Sequence, residues 1–153
     1  MVKKYVFGDP IETDAIVKEI KETIWNDELF KKEGNVFQYS LKPDEIVYGL
    51  GENVRGINKR GWRYVSNCSD NPNHCEHTNS LYGAHNFIMM GDGVSETYGL
   101  FVDTPGTVIF DVGYTDIDRL SIAMENENYK MYLIEGENVR GINKRGWRYV
   151  SNC

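Results

Sequence analysis

The alternation of apolar and polar positions along the chain predicts a domain made mostly of β-strands. Residues 35–41 place Phe37, Tyr39 and Leu41 at every second position, with polar side chains between them, which is the period of a half-buried strand. Many short strands separated by turn residues are typical of an antiparallel β-sandwich, and we expect roughly eight to twelve of them. The other β-rich runs are residues 46–51, 62–66, 85–90, 97–103, 107–113, 120–125 and 129–135.

A helical period occurs near the N-terminus. Asp9-Pro10 has the form of a capped helix start, with Pro at the first helical position. Ile16, Ile20 and Ile24 then recur at four-residue spacing, which would give a helix one apolar face. The pattern predicts one amphipathic helix over about residues 11–25, ahead of the sandwich.

Residues 66–80 interrupt the strand pattern with a long polar stretch, SNCSDNPNHCEHTNS. Loops of this length are uncommon unless they serve a function or are disordered. His74, Cys75 and His77 cluster in the stretch, as metal ligands do. Structural zinc, however, usually takes four ligands in spaced pairs on a rigid frame. A solvated polar loop is therefore favoured over a metal site.

A duplication marks the end of the chain, because residues 51–68, GENVRGINKRGWRYVSNC, return letter for letter as residues 136–153. Solenoid repeats run at roughly 20–50 residues and need three or more units, whereas this chain has two copies without a difference. Such identity indicates a copying event, recent or engineered. We therefore divide the chain into a domain over residues 1–135 and a duplicated tail over residues 136–153.

The first copy is expected to hold the native position, because it lies between a predicted strand and the polar stretch. Trp62 should then be more buried than its twin Trp147. Residues 139–153 should be the least ordered part of the chain, or ordered only by edge pairing with their own sandwich or with a second molecule. Deleting residues 136–153 should leave the sandwich folded.

Charge and cysteine content narrow the class of protein. The formal net charge is −6, which argues against nucleic acid and anionic membranes as partners, since both bind basic surfaces. No apolar run approaches the ~20 residues of a membrane-spanning helix, and the N-terminus lacks the apolar segment of a secretory signal. Cys68, Cys75 and Cys153 form an odd and sparse set, which favours reduced thiols in the cytoplasm.

The known short catalytic motifs do not occur in the chain. It contains no P-loop, no dinucleotide-binding glycine pattern, no nucleophile elbow and no HExxH helix. The sequence therefore predicts no cofactor, no metal and no catalytic residue within these residues.

Four segments, taken in order, carry a family resemblance: IVYGLGENVRGINKRGWRYVSNCSDNP (46–72), SLYGAHNFI (80–88), ETYGLFVDTPG (96–106) and TVIFDVGY (107–114). In this order and spacing they resemble the N-terminal β-sandwich of glycoside hydrolase family 31, the α-glucosidase family, most closely its bacterial cytoplasmic members. The resemblance covers about residues 1–135. It implies a galactose-mutarotase-like antiparallel β-sandwich from a parent that hydrolyses terminal α-linked glucosides. Both catalytic aspartates of such a parent lie on a (β/α)8 barrel that these residues do not include.

The resemblance also implies one substrate-binding residue. In the family a loop of the sandwich reaches over the mouth of the barrel, and the aspartate at the position of Asp70 helps to shape the sugar pocket. A carboxylate can accept paired hydrogen bonds from sugar hydroxyls. The alternative is that Asp70 caps a turn with Asn71 and Pro72, which is favoured for the chain without a barrel.

Two other functional hypotheses remain open. A stand-alone carbohydrate-binding module would need an aromatic platform, and Trp62, Tyr64 and Tyr82 are the candidates near the polar stretch, although aromatic residues on strands more often lie in a core. A natural or engineered chain with a duplicated strand could instead form a strand-swapped homo-oligomer through its tail.

Overall fold

The computed structural model describes residues 2–11, 20–22, 29–68, 70, 72–93 and 96–142. Within them, eleven strands are present, in agreement with the number expected from the sequence. The strands are β1 (Val2–Phe7), β2 (Ile20–Glu22), β3 (Lys31–Glu33), β4 (Val36–Ser40), β5 (Ile46–Gly49), β6 (Trp62–Ser66), β7 (Phe87–Gly91), β8 (Thr97–Asp103), β9 (Val108–Val112), β10 (Arg119–Met124) and β11 (Tyr129–Gly136).

The strands form two sheets that enclose one core. The six-stranded sheet has the order β2-β1-β11-β8-β7-β5, and the five-stranded sheet has the order β3-β4-β10-β9-β6. All strand pairs are antiparallel except β1 with β2. The predicted antiparallel β-sandwich is therefore confirmed, and each of the eight predicted strands is present within one or two residues of its expected bounds.

The inner face of the five-stranded sheet shows how the strand alternation builds the core. Register places Phe37, Ile122, Phe110 and Tyr64 side by side across four neighbouring strands, and each is buried to 2% exposure or less. Burial of a side chain of this size stabilises the fold by about 2–3 kcal/mol. On each strand, the residues directly before and after the row member face outward. A one-residue slip in register would therefore expose the whole row.

Three strands were not predicted. In β1 the two lysines Lys3 and Lys4 break the alternation, although the whole strand pairs with β11 from Val2 to Phe7. β3 is an exposed edge strand of two lysines and one glutamate, a composition that discourages pairing with other chains. Local pattern is weak in both strands, and their pairing partners determine the strand conformation.

The N-terminal helix predicted over about residues 11–25 falls mainly on residues 12–19 and 23–25, which lie outside the described residues. Between these two stretches, Ile20–Glu22 is extended and pairs in parallel with β1, so these three residues are not helical. The helical turn that the described residues do contain spans residues 139–142, at the start of the duplicated tail.

The end of β5 turns sharply through a short run of positive φ angles. Gly49, Leu50 and Gly51 have φ values of 117°, 67° and 67°, and a side chain on Gly49 would begin 2.2 Å from the carbonyl oxygen of Phe87. Leu50 tolerates its unfavourable φ because it is buried and its N–H donates to that same carbonyl at 2.9 Å. This turn directs the chain out of the six-stranded sheet and into the first copy of the duplicated segment.

Candidate functional site

The first copy supplies a basic loop, residues 51–61, that crosses from β5 to β6 and ties the two sheets together. The Arg60 guanidinium donates hydrogen bonds to the carbonyl oxygens of Lys42 at 2.7 Å, Glu45 at 3.0 Å and Pro43 at 3.1 Å. It also donates to the carbonyl of Ile117 at 3.1 Å, in the turn between β9 and β10. One side chain thus links the turn before β5 with a turn of the opposite sheet.

The same loop covers the outer edge of β5. The Lys59 N–H donates to the Val47 carbonyl at 2.8 Å, and the Asn58 side-chain oxygen accepts from the Val47 N–H at 3.4 Å. The Lys59 side chain is buried, with its Nζ donating to Asn53 Oδ1 at 3.0 Å and to the Gly56 carbonyl at 2.8 Å. Burial, and secondarily the charge of Arg55, lowers the pKa of Lys59. The loop is therefore closed on itself around this lysine.

Arg55 joins the basic loop to the polar loop, which we define as residues 66–80. Its Nε donates to the Glu76 carbonyl at 2.9 Å and one terminal nitrogen donates to the Arg63 carbonyl at 2.7 Å. The guanidinium carbon lies 4.4 Å from the centre of the Trp62 ring and 4.8 Å from that of Tyr64, within range of a cation–π interaction. Arg55 thus holds the polar loop against β6.

The polar loop has its own hydrogen bonds. Thr78 Oγ1 accepts from the Cys75 N–H at 3.1 Å, and the Thr78 N–H donates to the Cys75 carbonyl at 2.9 Å. The Ser80 hydroxyl donates to the Asn67 carbonyl, and its oxygen lies 3.1 Å from Asn67 Oδ1. Hydrogen bonds from Thr78 and from the His77 N–H lower the pKa of the Cys75 thiol. The contact between Ser80 and Asn67 holds the two ends of the loop together.

These contacts leave an open cleft of about 350 Å³ in the polar loop. Amide and hydroxyl side chains, which can both donate and accept hydrogen bonds, dominate its wall. The lining residues are Asn67, Asn73, Cys75, His77, Thr78, Asn79 and Ser80.

Asp70, the substrate-binding residue that the family resemblance implies, is exposed in the polar loop. Residues 69 and 71 lie outside the described residues, so the turn cap with Asn71 stays a prediction. Asp70 lies on the same polar loop that forms the cleft.

The three candidate metal ligands do not share a partner. His77 packs edge-on against Trp62 at 6.5 Å between ring centres, whereas His74 packs against Tyr82 at 6.0 Å. In the described part of the chain no three His, Cys, Asp or Glu side chains are grouped so that they could hold a metal ion. The two imidazoles therefore contribute ring contacts with residues that flank the polar loop.

One of the three residues predicted as a possible aromatic platform, Tyr64, cannot form part of an exposed surface. Tyr64 is buried at 2% exposure and belongs to the core, and Trp62 is half-buried beside Arg55. Tyr82 remains 52% exposed. Trp147 lies outside the described residues, so the comparison of Trp62 with its twin stays a prediction.

Sequence reasoning missed the anchoring roles of Arg55, Lys59 and Arg60. Their acceptors are mainly backbone carbonyl oxygens, which leave no mark in the sequence. The available signal was the density of basic side chains in a glycine-containing loop between two strands.

No helix in the described ranges has the length and apolar character needed to cross a membrane.

The two antiparallel sheets, the edge-covering basic loop and the long polar loop define a galactose-mutarotase-like β-sandwich. Residues 8–111 match the model of the glycosyl hydrolase 31 N-terminal galactose mutarotase-like domain, and the chain belongs to that family. The resemblance seen in the four sequence segments is thereby confirmed.

Two curated relatives are similar over most of this chain. The α-glucosidase of Saccharolobus solfataricus is 29% identical over 155 aligned positions, which cover 92% of this chain and 21% of the relative. The α-xylosidase XylQ of Lactiplantibacillus pentosus is 30% identical over 138 positions, which cover 87% of this chain and 16% of the relative. The chain thus spans about a fifth or less of the length of these two enzymes.

Solved structures show the same fold. A Flavobacterium johnsoniae GH31 dextranase complexed with glucose superposes with a TM-score of 0.64 and 24% identity, over 80% of this chain and 15% of that structure. A cycloalternan-degrading enzyme from Trueperella pyogenes superposes with a TM-score of 0.62 and 22% identity, over 71% of this chain and 16% of that structure.

Proposed function

We propose that this chain is the non-catalytic N-terminal domain of an α-glucosidase-type glycoside hydrolase, and that its polar loop helps to form the substrate pocket of the full-length protein. Family membership supports the enzyme class. The names of the two curated relatives, an α-glucosidase and an α-xylosidase, support an α-linked glucoside or related oligosaccharide as the substrate class. The chain covers only a small share of each relative, which supports its assignment as a domain that precedes the catalytic residues.

One observation carries the role of the loop: Asp70 is exposed on a polar loop that Arg55 joins to β6 and whose two ends are held together by the Ser80–Asn67 pair. A sugar ring presents neighbouring hydroxyls, and a carboxylate can accept a hydrogen bond from each with its two oxygens. Fastening both ends of the loop reduces the ordering cost of such contacts. Asp70 therefore binds and orients the sugar in this proposal and takes no part in bond cleavage.

The proposed compartment is the cytoplasm. Cys68 and Cys75 are exposed free thiols on the polar loop, which suits a reducing environment. The partner in this proposal is the oligosaccharide substrate of the full-length protein, and no cofactor is assigned.

The test is the replacement of Asp70 by Asn in the full-length protein that carries this domain. Loss of charge-assisted hydrogen bonds worth about 1.5–3 kcal/mol should raise KM for an α-glucoside by roughly 10–100-fold, with a smaller change in kcat. Asp118→Asn, at an exposed position in the turn between β9 and β10, is the matched control and should change neither constant. An Asp70→Asn enzyme with unchanged KM and kcat would overturn the role of the loop.

The alternative of a stand-alone carbohydrate-binding module is not favoured, because Tyr64 lies in the core and cannot form part of an exposed platform.

A further inference from the structure

The first seven residues of the duplicated segment adopt two different structures in one molecule. Residues 51–57 and 136–142 share the sequence GENVRGI. The first copy is an irregular loop, whereas the second completes β11 and forms the helical turn at residues 139–142. The exposure of the final isoleucine is 77% for Ile57 and 0% for Ile142. Since the local sequence is the same, the difference arises from what each copy contacts.

The asparagine of each copy also has a different role. Asn138 begins the helical turn: its carbonyl accepts from the Ile142 N–H at 3.1 Å, and its Oδ1 accepts from the Gly141 N–H at 2.9 Å, as an N-cap does. Its twin Asn53 instead accepts from Lys59 Nζ at 3.0 Å. The loop contacts of the first copy thus engage the side-chain oxygen that would cap a helix.

Ile142 fits into a gap between two glycines on the outer face of the six-stranded sheet. A Cβ built on Gly99 of β8 would lie 2.6 Å from Ile142 Cγ2, and one built on Gly136 of β11 would lie 2.7 Å from Ile142 Cδ1. The Phe87 ring bounds the gap, 3.3 Å from the position of a Gly99 Cβ. Any side chain at either glycine would therefore occupy the space of the isoleucine. We call Gly99, Gly136 and Phe87 the glycine socket.

Apolar residues surround the socket on the outer face, so this sheet is buried on both sides. Six consecutive residues of β11, from Tyr129 to Ile134, are buried, which fits a strand with packing on each face. The cluster that includes Ile142 consists of Val2, Met89, Phe101, Tyr132 and Ile134, with Tyr48, Phe87 and Val139 packed against it.

We propose that the glycine socket is a docking site for one branched aliphatic side chain presented by a helical turn, and that its occupant is Ile142 on residues 138–142. The socket, through this contact, fixes the direction of the chain after β11 and imposes the helical turn on a sequence that is a loop elsewhere in the same molecule. The proposal concerns the outer face of the sheet and does not depend on the function of the polar loop.

A double-mutant cycle between Gly99 and Ile142 tests the proposal. Neither Gly99 nor Gly136 has a positive φ angle, so alanine is compatible with the backbone at Gly99. Gly99→Ala should lower the Tm of the otherwise unchanged chain by about 3–10 °C, because its Cβ overpacks the socket. Ile142→Ala should lower it by about 5–12 °C through lost burial and a cavity. In the Ile142→Ala background, Gly99→Ala should be neutral or raise the Tm, because the methyl group fills vacated space.

Ile57 supplies the matched control, since it has the same neighbours in sequence. Ile57→Ala should change the Tm by less than about 2 °C, and Gly99→Ala should lower the Tm in this background as much as in the unchanged chain. If Gly99→Ala lowers the Tm equally in the Ile57→Ala and Ile142→Ala backgrounds, the socket is not occupied by Ile142 and the proposal fails.

Amide exchange measured by NMR gives a second readout that does not depend on global stability. NMR distinguishes the two copies by their assigned resonances, whereas proteolytic peptides of the same sequence would have the same mass. The Gly141 and Ile142 amides should be protected at least tenfold relative to those of Gly56 and Ile57, and Ile142→Ala should abolish the difference. Equal exchange in both copies of the unchanged chain would contradict the docked helical turn.

Discussion

At the scale of single residues, Asp111 shows how a carboxylate fixes a turn of the sandwich. Its Oδ1 accepts from the N–H groups of Tyr114 and Thr115, both at 3.0 Å. Its Oδ2 accepts from the Thr115 hydroxyl at 2.6 Å and from Arg63 at 2.8 Å. Asp111 thus holds the start of the β9–β10 turn against β6.

These contacts predict a pH-dependent contribution to stability. Partial burial acts to raise the pKa of Asp111, but hydrogen bonds from Thr115, Arg63 and Tyr114 outweigh it and hold the pKa below its usual range. A carboxyl group with a lowered pKa in the folded state stabilises the fold above its unfolded pKa, and this contribution is lost as the pH falls through the folded pKa. Asp111→Asn should therefore lower the free energy of unfolding by about 1–2 kcal/mol at pH 7, and by progressively less below about pH 4.

Urea unfolding of both proteins between pH 7 and pH 3 measures this difference. Asp118→Asn, in the same turn but exposed, should match the unchanged chain throughout. A difference between Asp111→Asn and the unchanged chain that stays constant down to pH 3 would show that the carboxylate charge is not responsible.

At the scale of elements, the basic loop gains its conformation from distant backbone groups. Arg55 bridges β6 and the polar loop, while its twin Arg140 lies exposed on the helical turn of the tail. For Arg55, the duplication therefore provides a control in the same local sequence.

Arg55→Ala should lower the free energy of unfolding by about 1–3 kcal/mol, because two charged hydrogen bonds and the contacts with two aromatic rings are lost. Amide exchange of residues 75–80 should accelerate, since the bond to the Glu76 carbonyl is removed. Arg140→Ala should alter stability by no more than about 0.5 kcal/mol. Equal losses from the two replacements would mean that Arg55 does not fasten the polar loop.

Strand alternation was sufficient to predict β4 to β11, because each of these strands alternates or is continuously apolar between turn residues. It failed for β1, where Lys3 and Lys4 interrupt the pattern and pairing with β11 supplies the strand conformation. It also failed at Ile20–Glu22, where parallel pairing with β1 overrides a helical period. Residues whose conformation depends on a partner far away in sequence carry little local signal.

The candidate site was predictable only in part. The polar loop was identified by its length and composition. Asp70 was assigned from the family resemblance, by its place in the segment SNCSDNP, and its role stays a prediction. The anchors of the loop were not predictable, because Arg55 binds main-chain oxygens and the Ser80–Asn67 pair closes only once the loop has folded. Nothing in the segment GENVRGI itself distinguishes its two conformations.

At the scale of the whole molecule, the central core cluster of the described residues lies within the part of the chain that precedes the duplicated tail. The central core cluster draws on both sheets, and its residues run from Tyr5 to Leu133. The tail adds Val139 and Ile142 to the separate cluster on the outer face of the six-stranded sheet. The central core cluster of the described residues and the polar loop thus fall within residues 1–135, and the division of the chain at residue 135 stays a prediction.

We propose that this domain contributes to a sugar pocket in a full-length protein and performs no hydrolysis by itself. The most direct measurement is the release of 4-nitrophenol from 4-nitrophenyl α-glucoside and α-xyloside by the purified chain, with a full-length α-glucosidase as positive control. A retaining glycosidase needs two carboxyl groups about 5–5.5 Å apart around the scissile bond. The family resemblance places both of these groups on a barrel that these residues do not include, so we expect no release above the buffer rate at any protein concentration. Release that rises in proportion to the concentration of the chain would contradict the account.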